Sequence, residues 1–349
     1  MDEQHSYRVG ILGATGAVGQ KFVELLAGHP WFQISAVAAS ERSAGKRYSE
    51  AVNWLGSSPI PADVANLMVQ TCEPTLDCDF VFSGLDSSVA RDIERSFSEA
   101  GFPVISNARN HRMREDVPLL IPEVNPDHTR LIRQQQESGD GFIVTNPNCS
   151  TVGLVSALKP LHDAFGVERV IVATMQALSG AGYPGVASLD IVGNVVPYIG
   201  GEEEKLETEP QKLLGQMTED RIRFADIEIS AHCNRVPVLD GHTECVSVAL
   251  SQAPSAAEVA DVFGSFESEI DGLCLPFAPR PFIRLLNGDA DPQPRRHVGI
   301  DGGMPVWIGR LRPCNVLDFR FVVLVHNTVR GAAGGAILNA ELLIEQGYM

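Results

Sequence analysis

Up to residue 148 the chain repeats one pattern: a short apolar run closed by small or polar residues, then a stretch with helical spacing. The apolar runs cover residues 8–12, 32–39, 79–84, 102–107 and 141–144. They are apolar at consecutive rather than alternate positions, so they read as strands buried on both faces. Helical spacing fills residues 20–26, ending at Gly28-His29-Pro30, and residues 88–100. Strands alternating with helices predict an α/β fold with a Rossmann-like, doubly wound parallel sheet. Ligands of such sheets gather at the carboxyl ends of the strands, where Ser40, Ser83, Asn107 and Cys149 fall.

The first strand-to-helix turn carries Gly13-Ala14-Thr15-Gly16-Ala17-Val18-Gly19. Glycines there let the backbone approach a pyrophosphate that the helix N-terminus then holds. The spacing is GxxGxxG, a variant of the dinucleotide fingerprint, and a Gly-rich turn also serves tight packing alone. After the second strand, where an NAD site places an acid on the ribose, the chain has Ser40-Glu41-Arg42-Ser43. Ser40, Arg42 and Ser43 suit a 2′-phosphate, so the expected cofactor is NADP(H). Glu41 argues the other way, and a polar surface turn is the plain alternative.

Beyond Cys149 the texture changes. Residues 167–176, 242–250 and 316–325 read as long strands, with a Gly-rich loop at 179–185. This predicts an α+β domain rich in antiparallel pairing. A small-residue helix over 327–343 is expected to return to the first domain. The expected division is 1–148 plus 328–349 as the NADP-binding domain and 149–327 as the catalytic and dimerisation domain.

Composition narrows the function. The formal net charge is −17, and only 5 of the 27 basic residues are Lys. No basic stripe exists to displace phosphate counterions, which argues against nucleic acid. The seven cysteines form no CxxC or Cys/His metal spacing, and their odd number fits free thiols, so no metal is expected. A mean hydropathy of +0.01 and the lack of a long apolar run argue against a membrane partner. The N-terminus leads directly towards a strand without a secretory pattern, so the expected location is cytoplasmic.

The chemistry centres on Thr145-Asn146-Pro147-Asn148-Cys149-Ser150-Thr151. Asn148, Ser150 and Thr151 are helix-start residues, so Cys149 falls where backbone N–H groups and the helix dipole favour thiolate. A free Cys is ordinarily a small buried filler; the strand–Asn-Pro-Asn–Cys–helix setting points to a nucleophile instead. A thiolate beside a nicotinamide site implies attack on an activated acyl group, a thioester, and hydride transfer to give an aldehyde. His242 follows the Asp240-Gly241 turn and opens a strand, which makes it the candidate proton shuttle among nine His. Arg235, seven residues before His242, is a candidate to clamp a carboxylate, with a plain surface Arg as the alternative. Gly201-Glu202-Glu203-Glu204-Lys205 reads as a solvated helix start, or as one carboxylate and one ammonium offered to a zwitterionic, anionic substrate.

These blocks resemble the aspartate-semialdehyde dehydrogenase family, in its archaeal and fungal branch. The resemblance extends through Ile121-Pro122-Glu123-Val124-Asn125-Pro126-Asp127-His128, the run from Met175 to Gly185, Gly201 to Lys205, Arg235 through Cys245, and the terminal segment, in family order. It implies NADPH-dependent reductive dephosphorylation of L-aspartyl 4-phosphate to L-aspartate 4-semialdehyde, a step toward lysine (through diaminopimelate), methionine and threonine. By matching position, Cys149 would form the acyl-enzyme, His242 would act as acid/base and Gln176 would orient the intermediate. Arg235 would hold the substrate carboxylate, Glu202 its ammonium, and Arg112 with Lys205 the phosphate. Thr15, Gly16, Ala17, Val18, Ser40, Ser179, Gly180 and Asn327 would touch the cofactor. Arg109 stands where a small residue or Lys is expected, which leaves the choice of phosphate-binding Arg open. The expected assembly is a homodimer or homotetramer. The alternatives are a malonyl-CoA reductase with the same Cys/His chemistry, an N-acetylglutamyl-phosphate reductase, which resembles the chain less around the Cys, and, in another class, a non-catalytic NADP-binding regulator.

Overall fold

A computed structural model describes residues 6–349; the reading of the first five residues as a plain lead into a strand lies outside them. Two compact units are formed. The first comprises Met1–Leu120, His128–Asn146 and Ala336–Met349, and the second Ile121–Asp127 and Pro147–Gly335. The chain therefore passes between units at Asn146/Pro147 and Gly335/Ala336, where 148/149 and 327/328 were expected.

The first unit is built on six parallel strands: β1 (Tyr7–Leu12), β2 (Phe32–Ala38), β3 (Val69–Gln70), β4 (Phe80–Ser83), β5 (Pro103–Ser106) and β6 (Phe142–Thr145). Their order is β3-β2-β1-β4-β5-β6, so the winding reverses between β1 and β4. Consecutive apolar residues on β1, β4, β5 and β6 are all buried, as a sheet covered on both faces requires. Helices α1 (Ala17–Leu25) and α2 (Ser87–Glu99) follow β1 and β4. Phe22 of α1 stacks on Phe82 of β4 at 4.7 Å. At the reversal point Gly13 adopts φ 73°, and a Cβ there would lie 2.8 Å from the Gly84 carbonyl oxygen. Gly19 packs closer still: its Cβ would meet the Gly13 oxygen at 2.2 Å. The two glycines thus serve the tight turn and the close helix–strand contact.

The second unit holds β7 (Val167–Gln176), a two-stranded ribbon of β8 (Gln216–Met217) and β9 (Ile222–Arg223), then β10 (Glu228–Arg235), β11 (His242–Leu250), β12 (Ile283–Leu286), β13 (Val306–Pro313) and β14 (Phe319–Val325). Its main sheet runs β10-β7-β11-β14-β13-β12, with antiparallel pairs at the centre and parallel pairs at both edges. The last strand begins three residues later than the pattern suggests. Residues 314–318 instead close the β13–β14 turn, where Cys314 N–H donates to the Asp318 carbonyl at 2.9 Å.

Helix α3 (Cys149–Phe165) packs on β11 and β14, and α4 (Glu202–Leu213) packs on β10. The opposite sheet face, with Ile171, Ala173, Met175, Cys245 and Val322 exposed or half-buried, has no covering helix among the described residues. Segment Ile121–Asp127 is tied into this unit by Glu123, which accepts a buried bidentate pair from Arg330 at 2.8 and 2.5 Å. After Arg330 the chain continues as α5 (Gly334–Glu345). Two side-chain bonds inside the first unit then fix that helix. Asn339 donates to Asn146 at 2.7 Å, and the Glu341 carboxylate meets His29 Nε2 at 2.8 Å, with both side chains of the latter pair fully buried.

Candidate active site

Cys149 is the first residue of α3, and Asn148 is the cap. The Asn148 side-chain oxygen accepts from the N–H groups of Ser150 and Thr151 at 3.0 and 3.3 Å. Its backbone N–H donates to Glu209 Oε2 at 2.7 Å. Its side-chain NH₂ donates to both oxygens of Glu202, at 3.0 and 2.8 Å. One residue is therefore held from three sides immediately before the cysteine. Against Cys149 itself the backbone of Gly331 comes so close that a Cβ would lie 2.8 Å from Cys149 Cβ.

Cys149 Sγ lies 3.2 Å from His242 Nε2. Gly241, at φ 100°, makes the turn that starts β11 with His242 buried. The Ala177 N–H donates to His242 Nδ1 at 3.1 Å, so Nδ1 acts as acceptor and the ring proton sits on Nε2, facing the sulfur. Burial, and after it the charge of Arg235, push the imidazole down to about 3. It is therefore a neutral hydrogen-bond donor to Cys149 near neutral pH. The Ala177 carbonyl accepts from Arg235 Nη1 at 2.7 Å, so the main chain of one residue orients both side chains. Gly180 completes the fit, since a Cβ there would lie 2.9 Å from Arg235 Nη1 and 3.1 Å from His242 Nε2.

Arg235 is buried, which lowers its basicity, and the charges of Cys149 and Glu202 partly offset that. Glu202 also receives Gln176 Nε2 at 3.2 Å and Lys205 Nζ at 2.6 Å. Burial alone would raise its carboxyl; Lys205 and the hydrogen bonds outweigh that and keep it below the usual carboxylate range. Cys149, His242, Gln176, Arg235, Glu202 and Lys205 thus form one connected group within the second unit. Of the expected cofactor residues there, Asn327 donates to Ser179 Oγ at 2.8 Å and accepts from the Gly241 N–H at 2.9 Å, which joins both to the His242 turn.

The other expected residues lie in the first unit. Gly13, Thr15, Gly16, Ala17 and Val18 form the β1–α1 turn. Gly16 caps α1 without a side-chain bond and the first turn holds no acid, so its N-terminal amides suit a pyrophosphate. A cleft of about 580 Å³ follows, lined by Ser40, Glu41 and Arg42 on one side and by Leu85, Val89 and Ile93 on another. That is a polar edge and an apolar wall, the chemistry an adenosine with a phosphorylated ribose needs. Glu41 shares the cleft with Arg42. Ser43 serves the turn itself, its N–H donating to the Ser40 carbonyl at 2.8 Å. Ser83, expected at a ligand-facing strand end, is fully buried and donates to Glu94 at 2.6 Å. Arg112 donates to the Asn107 carbonyl at 2.8 Å.

Three contributors escaped the sequence. Glu209 carried a faint signal, seven residues or two helical turns from Glu202 and so on the same face of α4. Ala177 acts only through its main chain, and Gly331 only through the side chain it lacks; neither leaves a pattern in composition or periodicity.

A cysteine at a helix start, hydrogen-bonded to a neutral imidazole and accompanied by a buried arginine, in a chain that also carries a dinucleotide-type turn, defines an acylating, nicotinamide-dependent aldehyde dehydrogenase. Comparison with known proteins agrees. Residues 8–132 match the semialdehyde dehydrogenase NAD binding domain, and residues 158–330 the semialdehyde dehydrogenase dimerisation domain. The chain is 51% identical to an aspartate-semialdehyde dehydrogenase of Archaeoglobus fulgidus, covering 97% of this chain and 98% of that one. It is 48% identical to the one of Cryptococcus neoformans over the whole of both chains. The crystal structure of aspartate semialdehyde dehydrogenase with NADP from Candida albicans superposes with a TM-score of 0.92 at 44% identity, covering 98% of this chain and all of that one. The chain belongs to the aspartate-semialdehyde dehydrogenase family.

Proposed function

We propose that this enzyme reduces L-aspartyl 4-phosphate to L-aspartate 4-semialdehyde with NADPH, in the supply of lysine, methionine and threonine. The observation that carries this reading is the 3.2 Å contact between Cys149 Sγ and His242 Nε2, in one network with Arg235 and Glu202. The thiolate attacks the acyl carbon, the carbonyl electrons move onto oxygen, and their return expels inorganic phosphate with the acyl C–O bonding pair. A thioester on Cys149 remains. Bound NADPH supplies a hydride to that carbonyl carbon. The resulting thiohemiacetal oxyanion collapses, releasing the aldehyde and restoring the thiolate.

This reductive sequence starts and ends on a thiolate, so the imidazole need not store a proton along it. His242 contributes its Nε2–H as a hydrogen bond to negative charge on sulfur and on the adjoining oxygen, and the Ala177 N–H keeps the tautomer correct. Arg235 holds the substrate α-carboxylate, Glu202 its ammonium, Gln176 the thioester, and Lys205 with Arg112 the phosphate. Gly13, Thr15, Gly16, Ala17 and Val18 hold the pyrophosphate, and Ser40 with Arg42 the 2′-phosphate. Ser179, Gly180 and Asn327 border the nicotinamide end. The uncovered sheet face of the second unit supports a homodimer in which a second copy covers it.

Intact-mass spectrometry with L-aspartate semialdehyde and NADP, phosphate omitted, is expected to show an acyl adduct on wild type and none on Cys149→Ala. Phosphate-dependent NADP reduction is measured alongside malonyl-CoA-dependent NADPH oxidation. Faster handling of malonyl-CoA would replace the substrate in this reading, and an active Cys149→Ala enzyme would end the covalent mechanism.

A further inference from the structure

Glu202 is fully subscribed. Oε1 accepts from Lys205 Nζ at 2.6 Å and Asn148 Nδ2 at 3.0 Å; Oε2 accepts from Asn148 Nδ2 at 2.8 Å and Gln176 Nε2 at 3.2 Å. A carboxylate offers about four acceptor positions, and all four directions are in use. The substrate's ammonium cannot therefore be added to Glu202; it must replace a donor already there. Lys205 has its charge matched by this carboxylate at 2.6 Å, which lowers its pull on a second anion while it stays there.

The three donors differ in what they lose by leaving. Asn148 and Gln176 are 5% and 1% exposed, and Asn148 also caps α3, so releasing either strands a buried amide. The Lys205 side chain is 21% exposed and carries its charge on a flexible stem. It is also the only one of the three that is an ammonium. Exchanging it for the substrate's ammonium leaves the charge at Glu202 unchanged.

We propose that the substrate's α-ammonium displaces Lys205 from Glu202, and that the released Lys205 becomes the ligand of the phosphoryl group. The inference rests on the function proposed above. It makes the amino group a condition for full phosphate affinity, although that group takes no part in bond making. Substrates that lack it leave Lys205 on Glu202. Linkage makes the effect reciprocal, so phosphate tightens binding of the amino-bearing substrate by the same factor.

The test needs no turnover. Inorganic phosphate is titrated calorimetrically into Cys149→Ala enzyme with NADP, saturated with either L-aspartate semialdehyde or succinate semialdehyde, which differs only by the missing amino group. Phosphate is expected to bind at least about fivefold more tightly with the amino-bearing ligand, the lower end of ordinary coupling between sites. Lys205→Ala should remove that difference by weakening phosphate only beside L-aspartate semialdehyde. Glu202→Gln, which loosens Lys205 in both complexes, should remove it by tightening phosphate beside succinate semialdehyde. Equal phosphate affinity in the two Cys149→Ala complexes would overturn the exchange. Phosphate-dependent NADP reduction by wild-type enzyme with L-aspartate semialdehyde reports separately on the function itself. Should Cys149→Ala fold poorly, the phosphate KM of the wild-type enzyme with the two aldehydes gives the same comparison.

Discussion

At the scale of single residues, His242 shows how burial decides a chemical role. Its folded value of about 3 lies below the ordinary 6.5, so the folded protein binds fewer protons there than the unfolded chain. The stability this contributes is complete above pH 6.5 and is lost as pH falls toward 3. A neutral ring throughout the working range also means that His242 gives no acid limb near 6.5. The pH profile of kcat/KM is expected to be free of a His242-dependent step between about 5.5 and 7.5. The melting temperature should begin to fall below pH 6.5, and less so in His242→Gln. A kinetic limb near 6.5 that vanishes in His242→Gln would show the imidazole titrating normally. Cys149 and His242 were legible in the sequence because each sits at a marked place, a helix start and a Gly turn, whereas Arg235 was singled out without the strand that it ends. The tautomer was not, because it is set by the main chain of Ala177, whose side chain says nothing about it.

At the scale of elements, the start of α3 joins helix capping to the Glu202 hydrogen-bond network through Asn148. Asn148→Asp keeps an oxygen for the cap, since both are good N-caps. It also replaces the amide that donates to Glu202 with a second carboxylate. Thermal stability is expected to fall modestly, while kcat/KM drops at least about tenfold as two acids face each other at the proposed ammonium site. Parallel melting curves and steady-state kinetics separate the two effects, and a fall in stability with normal kinetics would reduce Asn148 to a cap. The parallel strands were readable because burial on both faces leaves continuous apolar runs, as at Phe80-Val81-Phe82. Helix extents were less so. The sequence marked only a helix start at Cys149, yet α3 runs on through Pro160 to Phe165, held by packing against β11 and β14 rather than by local preference. At 316–325 the apolar residues Val316 and Leu317 extended the apparent strand into what is a turn. Apolar character there does not mark pairing.

At the scale of the whole molecule, each unit has its own sheet and core, so ligand effects should be unequal between them. NADP is expected to raise the first unit's unfolding transition by about 2.7 kcal/mol at a hundredfold excess over Kd. NAD at the same concentration should do less, because Ser40 and Arg42 then lack a 2′-phosphate to meet. Differential scanning calorimetry checks this, and equal shifts from the two cofactors would mean that Glu41 governs the ribose. The order of the units in the chain was visible from where strand–helix alternation stops. The passage of Ile121–Asp127 into the second unit was not, because it depends on the pairing of Glu123 with Arg330 across 207 positions. The last helix has a consequence for synthesis. The six strands of the first unit are all translated before β7, but His29 and Asn146 must wait for Glu341 and Asn339. A nascent chain therefore carries the first unit with these two tertiary bonds unmade while the whole of the second is translated. A chain released a dozen residues early would present a complete Cys149 group attached to a first unit that lacks both tethers.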